Sequence, residues 1–158
     1  RRGALRPAGR LGGAIGAGVG LALACDLIWC APNAYFKLPF FSLALVPADG
    51  SFWRLEKKIG YSKAMGFLLR GSKIDSKLAN ELGIIDKVLS TLEDESIRSS
   101  LDELKTQLFS KRDWSQIIVM LRQVSQITLK KHLEEMRTIQ SKLQLQKEHT
   151  QVIRSLIK

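Results

Sequence analysis

The chain has 158 residues, 45% hydrophobic and 25% charged, which suits one globular domain able to bury a core. Its 25 Lys and Arg against 15 Asp and Glu give a net charge of +10, so polyanionic partners would be drawn to it. Cys25 and Cys30 stand alone, and His132 and His149 lie far from them, which excludes a disulfide framework and leaves no metal-ligand set.

In chain order, Arg1, Arg2, Arg6 and Arg10 precede an apolar run over residues 11–25 with the outline of a signal peptide. Five glycines interrupt that run, Asp26 ends it, and it is too short to span a bilayer, so neither secretion nor a transmembrane segment is expected. Residues 15–28 read as a helix entered through glycines. Residues 34–38 read as a short strand between Pro32 and Pro39. A helix follows Asp49-Gly50-Ser51, which offer caps, and stops at Gly60. Ser62 is the expected N-cap of the next helix, which closes at Gly71. Asp75 or Ser76 caps a third, ending at Gly83, and residues 84–89 form an extended exit.

After Gly83 the chain contains neither Gly nor Pro, and from about Glu93 it becomes charged and helix-forming. Leu101, Leu104 and Leu108 make one stripe; Ile117, Leu121 and Val124 a second. Leu129, Leu133, Met136 and Leu143, with Val152, Ile153 and Leu156, make a third. Spacings of three, four and seven fit amphipathic helices that cover a core or meet another subunit. A basic helix for RNA or a membrane has only scattered Lys and Arg behind it. Nucleic acid is further disfavoured because no aromatic-rich basic strand, zinc-ligand set or KH-type loop appears.

Gly16-Ala17-Gly18 imitates part of a dinucleotide fingerprint. That reading needs a hydrophobic strand just before it, where Arg6-Pro7-Ala8-Gly9-Arg10 stands, and an acid about twenty positions on for the ribose. Neither is present in the sequence. The chemistry of these glycines is better matched by another arrangement. Glycine lets backbone approach a ligand, and the first N–H groups of a helix lack intrahelical partners. Donors of that kind can hold a negative charge when they are preorganised around it.

The ordered set of motifs carries a resemblance. Residues 12–26 (Gly12-Gly13-Ala14-Ile15-Gly16-Ala17-Gly18-Val19-Gly20-Leu21-Ala22-Leu23-Ala24-Cys25-Asp26) precede Tyr35-Phe36-Lys37-Leu38-Pro39-Phe40 and Val46-Pro47-Ala48-Asp49-Gly50-Ser51. Trp53-Arg54-Leu55, Ile59-Gly60, Lys63-Ala64 and Gly83-Ile84-Ile85-Asp86-Lys87-Val88 follow. This set resembles the crotonase (enoyl-CoA hydratase/isomerase) superfamily. Leu38-Pro39-Phe40 and the turn at Pro47 look most like its eukaryotic enoyl-CoA isomerase branch. The resemblance implies an α/β fold, the C-terminal part of the spiral ββα fold, with a helical C-terminal region. Residues 1–11 would form an atypical lead, 12–92 the crotonase-like core and 93–158 the helical region.

The resemblance also implies a function: fatty acyl-CoA metabolism, with an acyl-CoA thioester as substrate and no separate cofactor. One oxyanion donor would be the backbone N–H of Ala17, flanked by Gly16 and Gly18. Phe40, Pro47 and Ala48 would border the substrate, and Phe36, Phe40 and Phe41 would line an acyl tunnel or join the core. The family's second donor lies on an earlier segment without a counterpart in this sequence. Family hydratases use two glutamates, which would fall at Gly20 and Phe40. The isomerase base would fall at Ala48. Asp49, adjacent to it, is the only acid in the turn, either the catalytic group or a cap for the following helix. With the family carboxylates replaced, residues 1–158 alone are expected to turn over poorly. A homo-oligomer, a trimer by resemblance, and an intracellular site in a peroxisome or mitochondrion are implied, with no targeting signal identified. Two alternatives remain: a catalytically inactive crotonase-fold protein that binds acyl-CoA or pairs with subunits, and a basic RNA-binding module.

Overall fold

The computed structural model describes residues 7–10, 12–90, 94–109, 115–144 and 154. Six short strands and six helices follow one another: β1 (Pro7–Arg10), β2 (Gly13–Ile15), α1 (Ala17–Leu23), β3 (Leu27–Cys30), β4 (Tyr35–Lys37), a 3-10 turn (Phe41–Leu43), α2 (Ser51–Ile59), α3 (Tyr61–Arg70), β5 (Lys73–Asp75), α4 (Ser76–Glu81), β6 (Lys87–Val88), α5 (Asp94–Phe109) and α6 (Ser115–Gln144).

The strands form two three-stranded sheets, ordered β1-β3-β6 and β2-β4-β5. In the second, β2 runs parallel to β4 and β5 antiparallel to it. The register aligns Ala14, Phe36 and Ile74 in one cross-strand row, and all three are buried. Their flanking residues turn the other way, as a two-residue period demands. Tyr35, on that outer face, lies over Gly13, with the Lys73 ammonium 4.5 Å from the ring centre. In the first sheet, β3 lies between parallel neighbours, and Ile28, Trp29 and Cys30 are all buried. A continuous apolar run suits a strand covered on both faces. Asp86 fastens β3 to the exit segment: its N–H donates to the Ile28 carbonyl at 2.8 Å, and its Oδ2 accepts from the Ile28 N–H at 2.7 Å.

Four sequence expectations need correction. The helix expected over 15–28 covers only Ala17–Leu23. Gly16 turns the backbone at its start, a bend at Cys25 and Asp26 ends it, and Leu-Ile-Trp-Cys then extends to pair with β1 and β6. Pro7–Arg10, part of the atypical lead that lacks an apolar strand pattern, is nonetheless β1, and β2 leads straight into the glycine turn. Ser62 does not cap α3; that place is taken by Gly60, at φ +81, which also closes α2. The exit strand is two residues, Lys87–Val88, because Ile84 and Ile85 are buried in a turn whose N–H groups donate to Ala79.

Other expectations are met. Asp75 caps α4, its Oδ1 accepting from the Leu78 N–H at 2.8 Å. Gly71 and Gly83 end helices at φ +57 and +70, conformations in which a side chain would be strained. Where it is described, the C-terminal region is helical, as α5 and α6, with Leu121 of the second stripe 66% exposed. Val152, Ile153 and Leu156 of the third stripe lie outside the described residues. Among the described residues, no helix is long and apolar enough to cross a membrane.

Candidate functional site

The site forms where the β2–α1 turn meets the loop before α2. At Gly16 the backbone takes φ +53 and ψ −122, a combination that the Cβ of an L residue forbids. Its N–H donates to the Lys37 carbonyl at 2.9 Å, tying the turn to the end of β4. Ala17 is then the first residue of α1, and its N–H has no carbonyl one turn earlier to bond. Ala17 is exposed, while Gly16 and Gly18 are half-buried. A donor is thus presented at the surface of an ordered turn.

Phe40 stands beside it. The tip of its ring lies 4.0 Å from where a Cβ on Gly16 would be. The Phe40 carbonyl accepts from Leu43 at 3.1 Å and Leu45 at 2.9 Å, and Ala44 closes the small loop in the left-handed region at φ +51. Phe36 is a core residue rather than part of a tunnel, and Phe41 is 43% exposed. Phe40, partly buried against the core, is the aromatic side chain beside the turn.

Pro47 is buried and Ala48 half-buried, its N–H donating to the Val46 carbonyl at 2.9 Å. Asp49 follows. Its Oδ1 accepts from the Ser51 hydroxyl at 2.7 Å and the Ser51 N–H at 3.2 Å. Part of the expected capping role is thus real: one oxygen holds the first N–H of α2, although the N-cap position itself is Gly50. The other oxygen behaves differently. Oδ2 is buried without a hydrogen-bond partner and lies 2.6 Å from the position of a Cβ on Gly20. Among the described residues, the only other such atom is Nε2 of His132, on α6. Buried polar atoms of this kind are few in folded proteins, and each one calls for an account.

Helix α6 closes the loop from above. Leu129 and Leu133 come within 3.2 and 3.3 Å of where a Cβ on Gly50 would be, and Gly50 itself sits at φ +80. The Gln140 Oε1 accepts from the Val46 N–H at 2.9 Å. Sequence reasoning identified the glycine turn and the acid but missed Gly20 as neighbour of Asp49, and Leu129, Leu133 and Gln140 as the clamp. One signal for Gly20 existed. Glycine inside a helix costs about 1 kcal/mol relative to alanine, so its presence implies that space is needed.

Among the described residues, no three His, Cys, Asp or Glu side chains group to hold an ion. Cys25 and Cys30 are both free thiols, and burial pushes the Cys30 thiol above its ordinary value, which suppresses the reactive thiolate. A separate groove of about 680 Å³ between β6 and α5 is lined by Lys87, Val88, Leu89, Ser90, Glu95 and three further serines. It shares no residue with the turn.

Residues 10–157 match the family described as enoyl-CoA hydratase/isomerase. A Bacillus subtilis protein named for that same family is 28% identical over 146 residues, which is 92% of this chain and 56% of the relative. Carnitinyl-CoA dehydratase of Citrobacter koseri is 34% identical over 124 residues, 78% of this chain and 46% of that protein. The crystal structure of an enoyl-CoA hydratase from Bacillus halodurans superposes with a TM-score of 0.80 at 23% identity, covering 93% of this chain and 59% of that one. The fold is thus shared, and the chain spans about half the length of the relatives it matches.

Proposed function

This chain belongs to the enoyl-CoA hydratase/isomerase family, and we propose that it serves fatty acyl-CoA metabolism by shifting a double bond in an enoyl-CoA thioester. The observation that carries the reading is the partnerless Oδ2 of Asp49 over Gly20, one turn along the helix from Ala17, whose N–H belongs to the first turn of α1. Ala17 and Gly20 are three residues apart, about 4.5 Å along the helix and on neighbouring faces. On this reading the thioester oxygen is held at Ala17, and the Asp49 carboxylate serves the adjacent acyl carbons.

The chemistry balances on one group. The Asp49 carboxylate removes a proton from C2 of a 3-enoyl thioester, and the electron pair moves onto the thioester oxygen, where the Ala17 N–H stabilises it. The carboxylic acid then returns the proton to C4, and the double bond comes to rest between C2 and C3. Nothing is gained or lost. Hydration would need a second acid–base group and a placed water, and Phe40 puts a hydrocarbon ring beside the turn instead. Incubation of residues 1–158 with a 3-enoyl-CoA should give the conjugated 2-enoyl thioester slowly, as one oxyanion donor allows, seen as rising ultraviolet absorbance with no 3-hydroxyacyl product by mass spectrometry. Formation of the hydroxy product would refute this reading.

The specific feature that favours the rival, an inactive acyl-CoA binder, is the absence of acid at Gly20, Phe40 and Ala48. Such a protein would bind the thioester and leave it unchanged in the same assay. We further propose that copies associate, as a trimer by the family resemblance. Leu21, Leu69 and Tyr61 are 71%, 59% and 58% exposed, apolar surface that association would cover. Sedimentation should report a species larger than the monomer at micromolar concentration; a monomer would rule this out. A peroxisome or mitochondrion is the compartment that suits such chemistry, a placement that organelle fractionation tests.

A further inference from the structure

We infer that Gly20 is a positioning residue for Asp49: the missing side chain at 20 creates the space in which the Asp49 carboxylate sits. This rests on the acyl-CoA reading for its chemical meaning, but the geometry stands by itself. Oδ2 of Asp49 lies 2.6 Å, and Cγ 3.3 Å, from the point where a Cβ at residue 20 would be. Real Cβ atoms do not approach an oxygen so closely, so any side chain at 20 and this carboxylate exclude each other. The carboxylate cannot turn freely away, because two donors from Ser51 grip Oδ1. Its second oxygen is thereby delivered, without a partner, onto α1 one turn beyond Ala17.

The two replacements in this site thus act as one. Where the family resemblance would put a glutamate on α1, the helix has only a hydrogen atom, and a carboxylate from the facing loop occupies the gap. The acid has changed its element of origin and kept its place beside the helix. Gly20 is buried, and the nearest atoms to a Cβ there are the end of the Asp49 side chain and the Cβ of Ser51 at 3.4 Å. A methyl group at 20 therefore meets the carboxylate first, while alanine favours the helix itself.

The experiment is Gly20→Ala, alone and combined with Asp49→Asn. Isomerisation kcat should fall about a hundredfold or more in Gly20→Ala, since an ångström of displacement is enough to lose proton transfer. KM should stay within about threefold, because thioester binding does not use the carboxylate. The double variant should be no slower than Asp49→Asn, as expected of residues acting as one unit. Additive losses, or a Gly20→Ala kcat within about twofold of wild type, would overturn the inference. A second arm needs no substrate: carbodiimide labelling read by mass spectrometry should modify Asp49 slowly in the wild type and faster in Gly20→Ala. Unchanged labelling also overturns it. A wild type without turnover would count against the isomerase reading alone, and the labelling would still decide the coupling.

Discussion

Asp49→Asn should slow double-bond isomerisation on the order of a hundred- to ten-thousandfold, the range associated with removing a positioned general base. The replacement is nearly isosteric. An amide oxygen can still accept from the Ser51 hydroxyl and N–H, so the loop before α2 keeps its anchor. What is lost is the ability to take up and return a proton. The effect should therefore fall on kcat, with KM and melting temperature close to wild type, as measured by steady-state assay and calorimetry. A variant that retains more than a tenth of wild-type kcat would mean that another group moves the proton. The contrast with Asp49→Ala is informative, because that change also removes the acceptor of the first α2 N–H and should cost about 1 kcal/mol of stability as well.

Gly16→Ala should damage both the fold and the rate, for a reason unrelated to crowding. The nearest atom to a Cβ there is the Phe40 ring tip at 4.0 Å, an ordinary contact. The cost is conformational: φ +53 with ψ −122 is closed to alanine, and holding it there costs on the order of 1–3 kcal/mol. The turn is expected to relax instead, breaking the bond from Gly16 N–H to Lys37 and rotating the Ala17 N–H off target. Loss of one preorganised oxyanion donor typically lowers the rate about a hundredfold or more. Steady-state kinetics with thermal melting separates the two effects. Full activity in a folded Gly16→Ala protein would exclude Ala17 as the donor.

The parts legible from sequence were those written in local chemistry. Gly60, Gly71 and Gly83 mark helix ends because each adopts a positive φ that other residues avoid, and Asp75 marks a start because its carboxyl reaches three residues ahead. The misread parts depend on partners distant in sequence. Leu27–Cys30 continues the apolar run of α1 with only a bend between, and becomes a strand because β1 and β6 offer hydrogen bonds on either side. Lys73–Asp75, with one buried residue in three, carries too little pattern to announce a strand. The family motifs located the turn, the acid and the fold. They could not reveal that Asp49 reaches Gly20, since the two are far apart in sequence and meet only after α1 packs on α2.

The bond from Val46 to Gln140 joins residues 94 positions apart, and Leu129 and Leu133 press on Gly50 from the same helix. Every residue assigned to the chemistry lies before residue 52, while the side chains that pin their loop lie beyond residue 128. On the ribosome, at about 5–20 residues per second, these two halves emerge several seconds apart. The sheets and α1 to α4 can assemble in that interval from contacts already available. The acid-bearing loop cannot be clamped until α6 is made and docks. The clamp on the acid-bearing loop is therefore completed after the sheets and helices that carry it.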